Sequence, residues 1–269
     1  MVTAQKKKRM LIRRYMSIPA LIDTLQREKL AILNPASWDD RNDRLFMQVY
    51  KSHKKAGGLY GLCAALSGET YHHWRIFAGG ASGACLVLKR QRVEAYLDSH
   101  DLEPGTSIRY GEVKYLTLDN VKKLSPKDIE NIPFLKRYGF KDEDEYRIVI
   151  ETVSDQQNAI FIDCPHEWID TVYLNPWLYD NQAQSLLSTL REIPGCKHLK
   201  IRRSELTDST TWREAAERIA GKPHSPAMTL QKAGRPKAIV KPTRKYAAPK
   251  AQKSKAPKPS RRRLATRTS

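Results

Sequence analysis

The sequence predicts an α+β fold, a single mixed domain over residues 1–220 with seven or eight short strands and intervening helices. Two observations support this class. Short apolar runs rich in β-branched residues alternate with segments of helical spacing. A hydrophobic content of 40% is also enough for one sizeable core. A third observation sets the boundary, because the composition changes sharply at Gly221 and no linker-like stretch precedes it.

The first third of the chain starts with a strand and a helix. The strand is predicted over Met10–Met16, and Ser17 followed by Pro19 marks a helix start. "LAIL" predicts another short strand. A turn-rich loop follows over Asn34–Asp43, and a buried strand is predicted over Leu59–Ser67.

The remaining elements continue the alternation. Tyr71, Trp74 and Phe77 are three residues apart and predict a helix that ends at Gly79 and Gly80. Further strands are predicted at Gly83–Leu88, 108–116, the end of Phe140–Ile150, Ala159–Cys164, Trp168–Leu174 and 199–204. Helices are predicted at 91–99, Gln182–Arg191 and Thr210–Ala220, and in pieces at 124–140.

The stretch "FKDEDEYRIVI" opens with acids and ends as a β-branched strand. Side chains alternate between the two faces of a strand. One face therefore carries Tyr146, Ile148 and Ile150, and the other carries Glu145, Arg147, Val149 and Glu151. The first face suits a core. The second is mostly polar, and is either solvated or lines a cleft.

The tail over residues 221–269 holds 15 Lys and Arg, seven prolines and no acid. This composition predicts disorder, because the segment buries too little apolar surface to offset its ordering entropy. The cations predict nucleic-acid or other polyanion binding, with non-specific solubilisation as the alternative. The candidate contacts are Lys237, Lys241, Arg244, Lys245, Lys250, Lys253, Lys255, Lys258, Arg261, Arg262 and Arg263.

The four cysteines are widely spaced and include no C-x-x-C pair, which argues against a zinc ribbon and a disulfide scaffold. No apolar run approaches the roughly 20 residues that span a bilayer. We therefore expect reduced cysteines, a cytoplasmic protein and no membrane partner. The sequence does not indicate which protein, if any, is a partner. His72 and His73 lie near Cys63 and Cys85 in the sequence, but no metal-ligand spacing fits, so no metal is expected.

Several familiar site motifs are absent, including the phosphate loop, the dinucleotide fingerprint and the nucleophile elbow. What remains is a set of polar residues beside apolar strands. The segments "RRYMSI", "LNPASWDDRND", "CAALSGETYHHWRIFAGGASGACLVL", "FKDEDEYRIVI", "IDTVYLNP" and "IRRSEL" resemble, in order and spacing, the bacterial domain of unknown function numbered 2971. The resemblance covers residues 11–206. Arg44 and His73 depart from that family's Pro and Met.

A weaker resemblance implies chemistry. The order of Arg14, Ser67 and the Glu143-Asp144-Glu145 run is similar to the layout of ADP-ribosyltransferases, which split NAD. That resemblance implies NAD as cofactor, with Glu145 and Ser67 as the catalytic pair. A carboxylate suits the oxocarbenium-like sugar that forms when the nicotinamide–ribose bond breaks.

The same resemblance implies a cofactor-binding set made of Arg14, Tyr15, Trp74, Glu143 and Arg147. The guanidinium of Arg14 would donate two parallel hydrogen bonds to the pyrophosphate, and Arg13 would lie on the opposite face of the strand. Tyr15 or Trp74 would stack on a planar ring.

Each of these residues also has a purely structural interpretation. Glu145 and Arg147 could form an exposed ion pair of little energy. The Tyr71, Trp74 and Phe77 spacing is more typical of a core. Three functions therefore stay open: an NAD-using transferase or glycohydrolase, a non-catalytic nucleic-acid-associated module, and a domain that binds a nucleotide without turnover.

Overall fold

A computed structural model of the protein describes residues 10–99, 104–154 and 158–221. The predicted disorder of the tail and its eleven candidate phosphate contacts lie outside these residues, and the boundary at residue 220 stays a prediction.

Eleven strands are present in the described residues. They are β1 (Leu11–Ser17), β2 (Lys29–Leu33), β3 (Gly58–Ala65), β4 (Gly83–Lys89), β5 (Ser107–Glu112), β6 (Lys114–Leu116), β7 (Leu135–Arg137), β8 (Glu145–Thr152), β9 (Ala159–Asp163), β10 (Ile169–Leu174) and β11 (Ile201–Arg203).

Seven α-helices accompany them in the same part of the chain. They are α1 (Ile18–Arg27), α2 (Arg41–Lys54), α3 (Tyr71–Phe77), α4 (Arg90–Ser99), α5 (Leu118–Val121), α6 (Asp180–Glu192) and α7 (Thr210–Ile219). Short 3₁₀ segments include Pro35–Ser37, Pro126–Phe134 and Tyr138–Glu143.

Nine strands form one mixed sheet, in the order β11-β10-β4-β1-β3-β2-β9, with β8 and then β5 attached to the other edge of β3. β1 pairs with β4 along its whole length, but it meets β3 only where Arg13 lies opposite Ala65. β2 meets β3 only where Leu33 lies opposite Gly61. The sheet therefore opens between β1 and β2, beside the middle of β3.

The two faces of the sheet are covered differently. One face carries the main core, to which β8 contributes Tyr146, Ile148 and Ile150. The other face carries two smaller apolar clusters, one around Trp74 under α3 and one around Met47 under α2. Polar side chains of β8 lie on this second face, in line with the alternation of a strand.

The predicted α+β class is confirmed, and the strand count of seven or eight was too low. Two of the additional strands, β6 and β7, are only three residues long and pair in a separate parallel sheet. The predicted loop over Asn34–Asp43 ends early, because Asp40 accepts the backbone N–H groups of Asn42 and Asp43 and so caps α2. α2 itself was not predicted. No helix in the described ranges is long and apolar enough to cross a membrane.

Candidate functional site

Arg147 lies at the centre of a buried ionic network on the second face of the sheet. Its side chain is 0% exposed. Its Nη1 and Nη2 atoms donate to the two carboxylate oxygens of Asp43 at 2.9 and 2.8 Å, and its Nε donates to Glu145 at 2.7 Å. The carbonyl of Pro133 accepts a fourth bond at 2.7 Å. This arginine therefore holds together β8, α2 and the 3₁₀ segment that follows α5.

Lys136 is the second cation of the network. Its Nζ donates to Glu143 at 2.5 Å and to Glu145 at 3.1 Å, and it lies 3.7 Å from Asp43. Glu145 thus receives one bond from Arg147 and another from Lys136, on different oxygens. Three carboxylates surround two cations, so the network carries one excess negative charge when all five groups are ionised.

Burial and charge act in opposite directions on the three carboxyl pKa values. Burial alone would raise the pKa of Glu145, but the positive charges of Arg147 and Lys136 overcome it and lower that pKa to about 2. For Asp43 and Glu143 burial prevails over the neighbouring cations, and both pKa values are raised. Glu145 is therefore the carboxylate that the site holds most firmly in its ionised form.

An indole ring covers the network from the side of the 34–38 turn. The guanidinium of Arg147 lies 4.8 Å from the ring centre of Trp38, within the range of a cation–π interaction. Trp38 fits there because position 61 is glycine. A Cβ atom at Gly61 would lie 2.5 Å from Cζ2 of the indole.

A second group of predicted residues lies between β1 and α3. The Tyr15 ring stacks on His73 at 5.3 Å and meets Trp74 edge to face at 5.3 Å. His73 is hydrogen-bonded to the carbonyl of Glu143 at 2.9 Å, which links this group to the ionic network. Burial raises the pKa of Tyr15, so its phenol stays protonated. We call Tyr15, His73 and Ser67, together with Arg13, the β1 shelf.

The β1 shelf contains buried polar atoms without hydrogen-bond partners in the described structure. They are Nε of Arg13, Oγ of Ser67 and the hydroxyl of Tyr15, whose polar neighbour is the weak thiol of Cys85. Arg13 makes one long bond, from Nη1 to the carbonyl of Leu66 at 3.4 Å. Buried polar groups are normally paired, so unpaired ones call for an explanation such as a bound molecule.

The two arginines of β1 differ in position. Arg13 lies opposite Ala65, which in turn lies opposite Glu145, so Arg13 and Glu145 share one face of the sheet. Arg14 follows Arg13 in β1, so its side chain leaves the strand on the opposite face. Its Nη1 donates to the carbonyl of Cys63 at 2.8 Å, where the sheet opens between β1 and β2. Its charge interacts with Glu145, although burial lowers the pKa of Arg14. The assignment of Arg14 to a pyrophosphate stays a prediction.

The structure brings Glu143, Glu145 and Arg147 into one network, and Tyr15 is connected to it through His73. Ser67 lies two residues beyond Ala65, which is opposite Glu145. The structure corrects one structural expectation, the exposed ion pair, and supports the core interpretation of Trp74 against a ring-stacking role. Glu145 and Arg147 do form an ion pair, but a buried one, because α2 and the 126–134 segment cover the polar face of β8. Trp74 is 0% exposed and donates from Nε1 to Glu69 at 3.1 Å, so it belongs to the core and has no free face for a ligand ring.

Two network members were given no role in the site from the sequence, Asp43, which was noted only as a polar residue beside an apolar strand, and Lys136. A signal existed for Asp43, which stands in a run of acids and amides that begins a helix. No sequence signal existed for Lys136, because lysines usually lie on the protein surface. Both also line an open cavity of about 250 Å³, whose walls are otherwise mostly apolar side chains such as Phe46 and Leu135. The network therefore reaches a concave surface through these two residues.

Histidines and cysteines do not gather into a metal site in the described ranges, where no three His, Cys, Asp or Glu side chains converge as ligands. His72 is exposed and His73 is buried, as expected for adjacent residues of a helix. All four cysteines are free.

Comparison with known proteins gives no family. No family model matches the chain, so the resemblance to the domain of unknown function numbered 2971 stays a prediction. No curated protein matches either.

Solved structures that are similar include Thermus sp. 2.9 DarT in complex with NAD+ and the same protein in complex with ADP-ribosylated ssDNA. Each is 11% identical to this chain with a TM-score of 0.38. The first match covers 73% of this chain and 96% of that one, and the second covers 74% and 95%. Nothing about the function of this chain follows from a likeness at this level.

Proposed function

We propose that the domain is an NAD-using enzyme of the ADP-ribosyltransferase or NAD glycohydrolase type, with its reaction centre between the β1 shelf and Glu145. One observation carries the proposal. An ionised, buried carboxylate lies on the same face of the sheet as Arg13 and Tyr15, which carry buried polar atoms without hydrogen-bond partners in the described residues. A buried ionised carboxylate and unpaired polar atoms on one face of a sheet are typical of a ligand site.

The residues of the β1 shelf fit the parts of NAD. Four of the five guanidinium N–H groups of Arg13 make no hydrogen bond within the described residues, so the fork is available to a pyrophosphate. The hydroxyls of Tyr15 and Ser67 can bond ribose or phosphate oxygens. In this proposal Arg13 takes the pyrophosphate role that the resemblance gave to Arg14, and Arg14 is a second cation whose charge acts on Glu145.

The proposed reaction breaks the glycosidic bond between nicotinamide and ribose. The bonding electron pair leaves with the nicotinamide nitrogen, and positive charge develops on the ribose. The Glu145 carboxylate stabilises that charge, because a fixed anion in a water-poor site acts more strongly than one in water. Water or a nucleophile of a macromolecule then bonds to the ribose carbon and loses its proton. Arg147 and Lys136 hold Glu145 ionised and in place.

The test uses chromatography to measure the nicotinamide that the whole chain releases from NAD. Glu145→Gln keeps the shape of the side chain and removes its charge. We expect the rate to fall at least 100-fold in this variant. Glu214→Gln, an exposed carboxyl on α7, is the matched control and should keep the wild-type rate. Circular dichroism must show that Glu145→Gln is folded. Equal rates in wild type and a folded Glu145→Gln would exclude the proposed role.

A second candidate is a non-catalytic module that associates with nucleic acid. One observation favours it: both oxygens of Glu145 are already bonded to Arg147 and Lys136, as in a network that only stabilises the fold. In this case NAD is neither bound nor cleaved, and the basic tail provides the affinity for nucleic acid.

The tail's part in either function can be measured by salt dependence. Changing Arg261, Arg262 and Arg263 to Gln removes three cations from the full chain. Binding of a single-stranded oligonucleotide should then depend less on salt, with the logarithmic slope falling by roughly 2, at about 0.7 per phosphate contact. An unchanged slope would show that these arginines do not contact phosphate.

A further inference from the structure

A groove lies between the turn at 34–36 and the outer side of α2. Its volume is about 660 Å³, within the range of roughly 300 to 1,000 Å³ that small-molecule sites occupy. α2 lines it with Arg41, Arg44, Gln48 and Lys51, and the turn adds Asn34 and Ala36. No Asp or Glu of the described chain is among the lining residues. We call this the α2 groove.

The α2 groove is separate from the site around Glu145. Residues 41, 44, 48 and 51 recur at intervals of three and four, so they share one side of the helix. Asp43 lies on another side of α2, where its carboxylate is bonded to Arg147. The acid in the first turn of α2 therefore does not neutralise the arginines of the groove.

The two arginines have few partners within the described residues. Arg41 is exposed and makes no hydrogen bond or ion pair there. Arg44 is partly buried and makes a single bond, from Nη1 to the carbonyl of Ala36 at 3.3 Å. Neither is near enough to a carboxylate of the described chain to form a salt bridge. Two guanidinium groups thus face the same concave surface with most of their donors unused.

Their place in the helix strengthens the local positive potential. α2 is 14 residues long, and Arg41 and Arg44 stand in its first turn. The amino end of a helix carries a partial positive charge, which disfavours cations there and favours anions. The Asp40 carboxylate caps this end by accepting the N–H groups of Asn42 and Asp43 and so compensates part of that charge, while Arg41 and Arg44 add positive charge on the side that lines the groove.

We infer that the α2 groove binds a phosphate ester, held by Arg41 and Arg44. The planar fork of each arginine matches two phosphate oxygens, and Asn34 and Gln48 supply amide groups for the rest of the molecule. The ester can belong to a soluble nucleotide or to the backbone of a nucleic-acid strand. The inference does not depend on the reaction proposed for Glu145.

Hydrogen exchange with mass spectrometry tests this on the full-length protein, with ADP in one arm and a 12-nucleotide single strand in the other. The double variant Arg41→Ala/Arg44→Ala is compared with wild type, and Arg92→Ala, an exposed arginine on α4, is the matched control. Because exchange is read peptide by peptide, binding to the tail is distinguished from binding at residues 34–52.

We expect at least one probe to slow exchange at residues 34–52 in wild type and in Arg92→Ala. In the double variant that protection should require at least 10-fold more probe. Protection by ADP identifies a soluble nucleotide, and protection by the strand alone identifies a backbone phosphate. The inference fails if neither probe protects these residues, or if the double variant is protected like wild type.

Nicotinamide release measured on the same proteins separates the two proposals. A loss of release in Glu145→Gln with unchanged groove protection supports both. Failure of either readout leaves the other intact.

Discussion

Replacing Arg147 by Met tests whether the ionic network stabilises the fold to the degree that its geometry indicates. Methionine keeps much of the volume of arginine and removes all four hydrogen bonds. Three of those bonds go to carboxylate oxygens, and a bond to a charged group contributes roughly 1.5–3 kcal/mol. The variant leaves Asp43 and Glu145 buried with Lys136 as the one cation still hydrogen-bonded within the network, and with the charge of Arg14 nearby.

Removing one partner of a buried ion pair destabilises proteins by about 3–5 kcal/mol. We expect the same loss in Arg147→Met, which is a large part of the roughly 5–15 kcal/mol that stabilises a typical domain. Urea unfolding followed by tryptophan fluorescence measures it. Arg92→Met, at an exposed position of α4, is the control and should stay within about 0.5 kcal/mol of wild type.

The double variant Arg147→Met/Glu145→Gln completes a cycle. Because the second change removes a buried charge that the first leaves without its main partner, the double variant should be less destabilised than the two single effects summed, by about 0.5–3 kcal/mol. A loss below 1 kcal/mol in Arg147→Met, or strict additivity in the cycle, would refute the account of a coupled buried network.

Two further predictions follow from the same region. The pKa of Glu145 is lowered from 4.5 to about 2 in the folded protein, so its contribution is complete above about pH 4.5 and is lost as the pH falls toward 2. Wild type should therefore lose stability relative to Glu145→Gln between pH 5 and pH 3 in urea titrations. The raised pKa values of Asp43 and Glu143 act in the opposite sense. Parallel stability curves for the two proteins over this pH range would contradict the predicted role of Glu145. Gly61→Ala should cost about 1–3 kcal/mol, because its Cβ would meet Trp38 at 2.5 Å and displace the indole from the network. Gly139→Ala, where a Cβ meets nothing within 4 Å, should be nearly neutral, and equal effects of the two changes would disprove the steric explanation.

The strands were predictable wherever apolar β-branched residues cluster, as in β4 and β8. α2 was not, because its buried side mixes Asp43 with Met47 and Tyr50 and its other sides carry charges, so no clean apolar stripe marks it. The cap at Asp40 was the one local signal, and the sequence "NPASWDDRND" also fits a turn.

The pairing of Glu145 with Arg147 followed from the period of a strand, but their burial did not. What covers them comes from α2 and from the 126–134 segment, and Asp43 is 104 residues away from Arg147 in sequence. The alternation of side chains along a strand shows which residues share a face, but it does not show which other segments pack against that face. Arg13 is a similar case, because only the register with β3 shows that it faces the same side as Glu145.

The most direct test of the central claim is a calorimetric titration of the full-length protein with NAD. If the β1 shelf is a ligand site, NAD should bind saturably below millimolar concentration, and Arg13→Met should weaken binding at least 10-fold while Arg92→Met does not. No binding at millimolar NAD, or equal binding by wild type and Arg13→Met, would contradict the account and leave the network around Glu145 with a structural role.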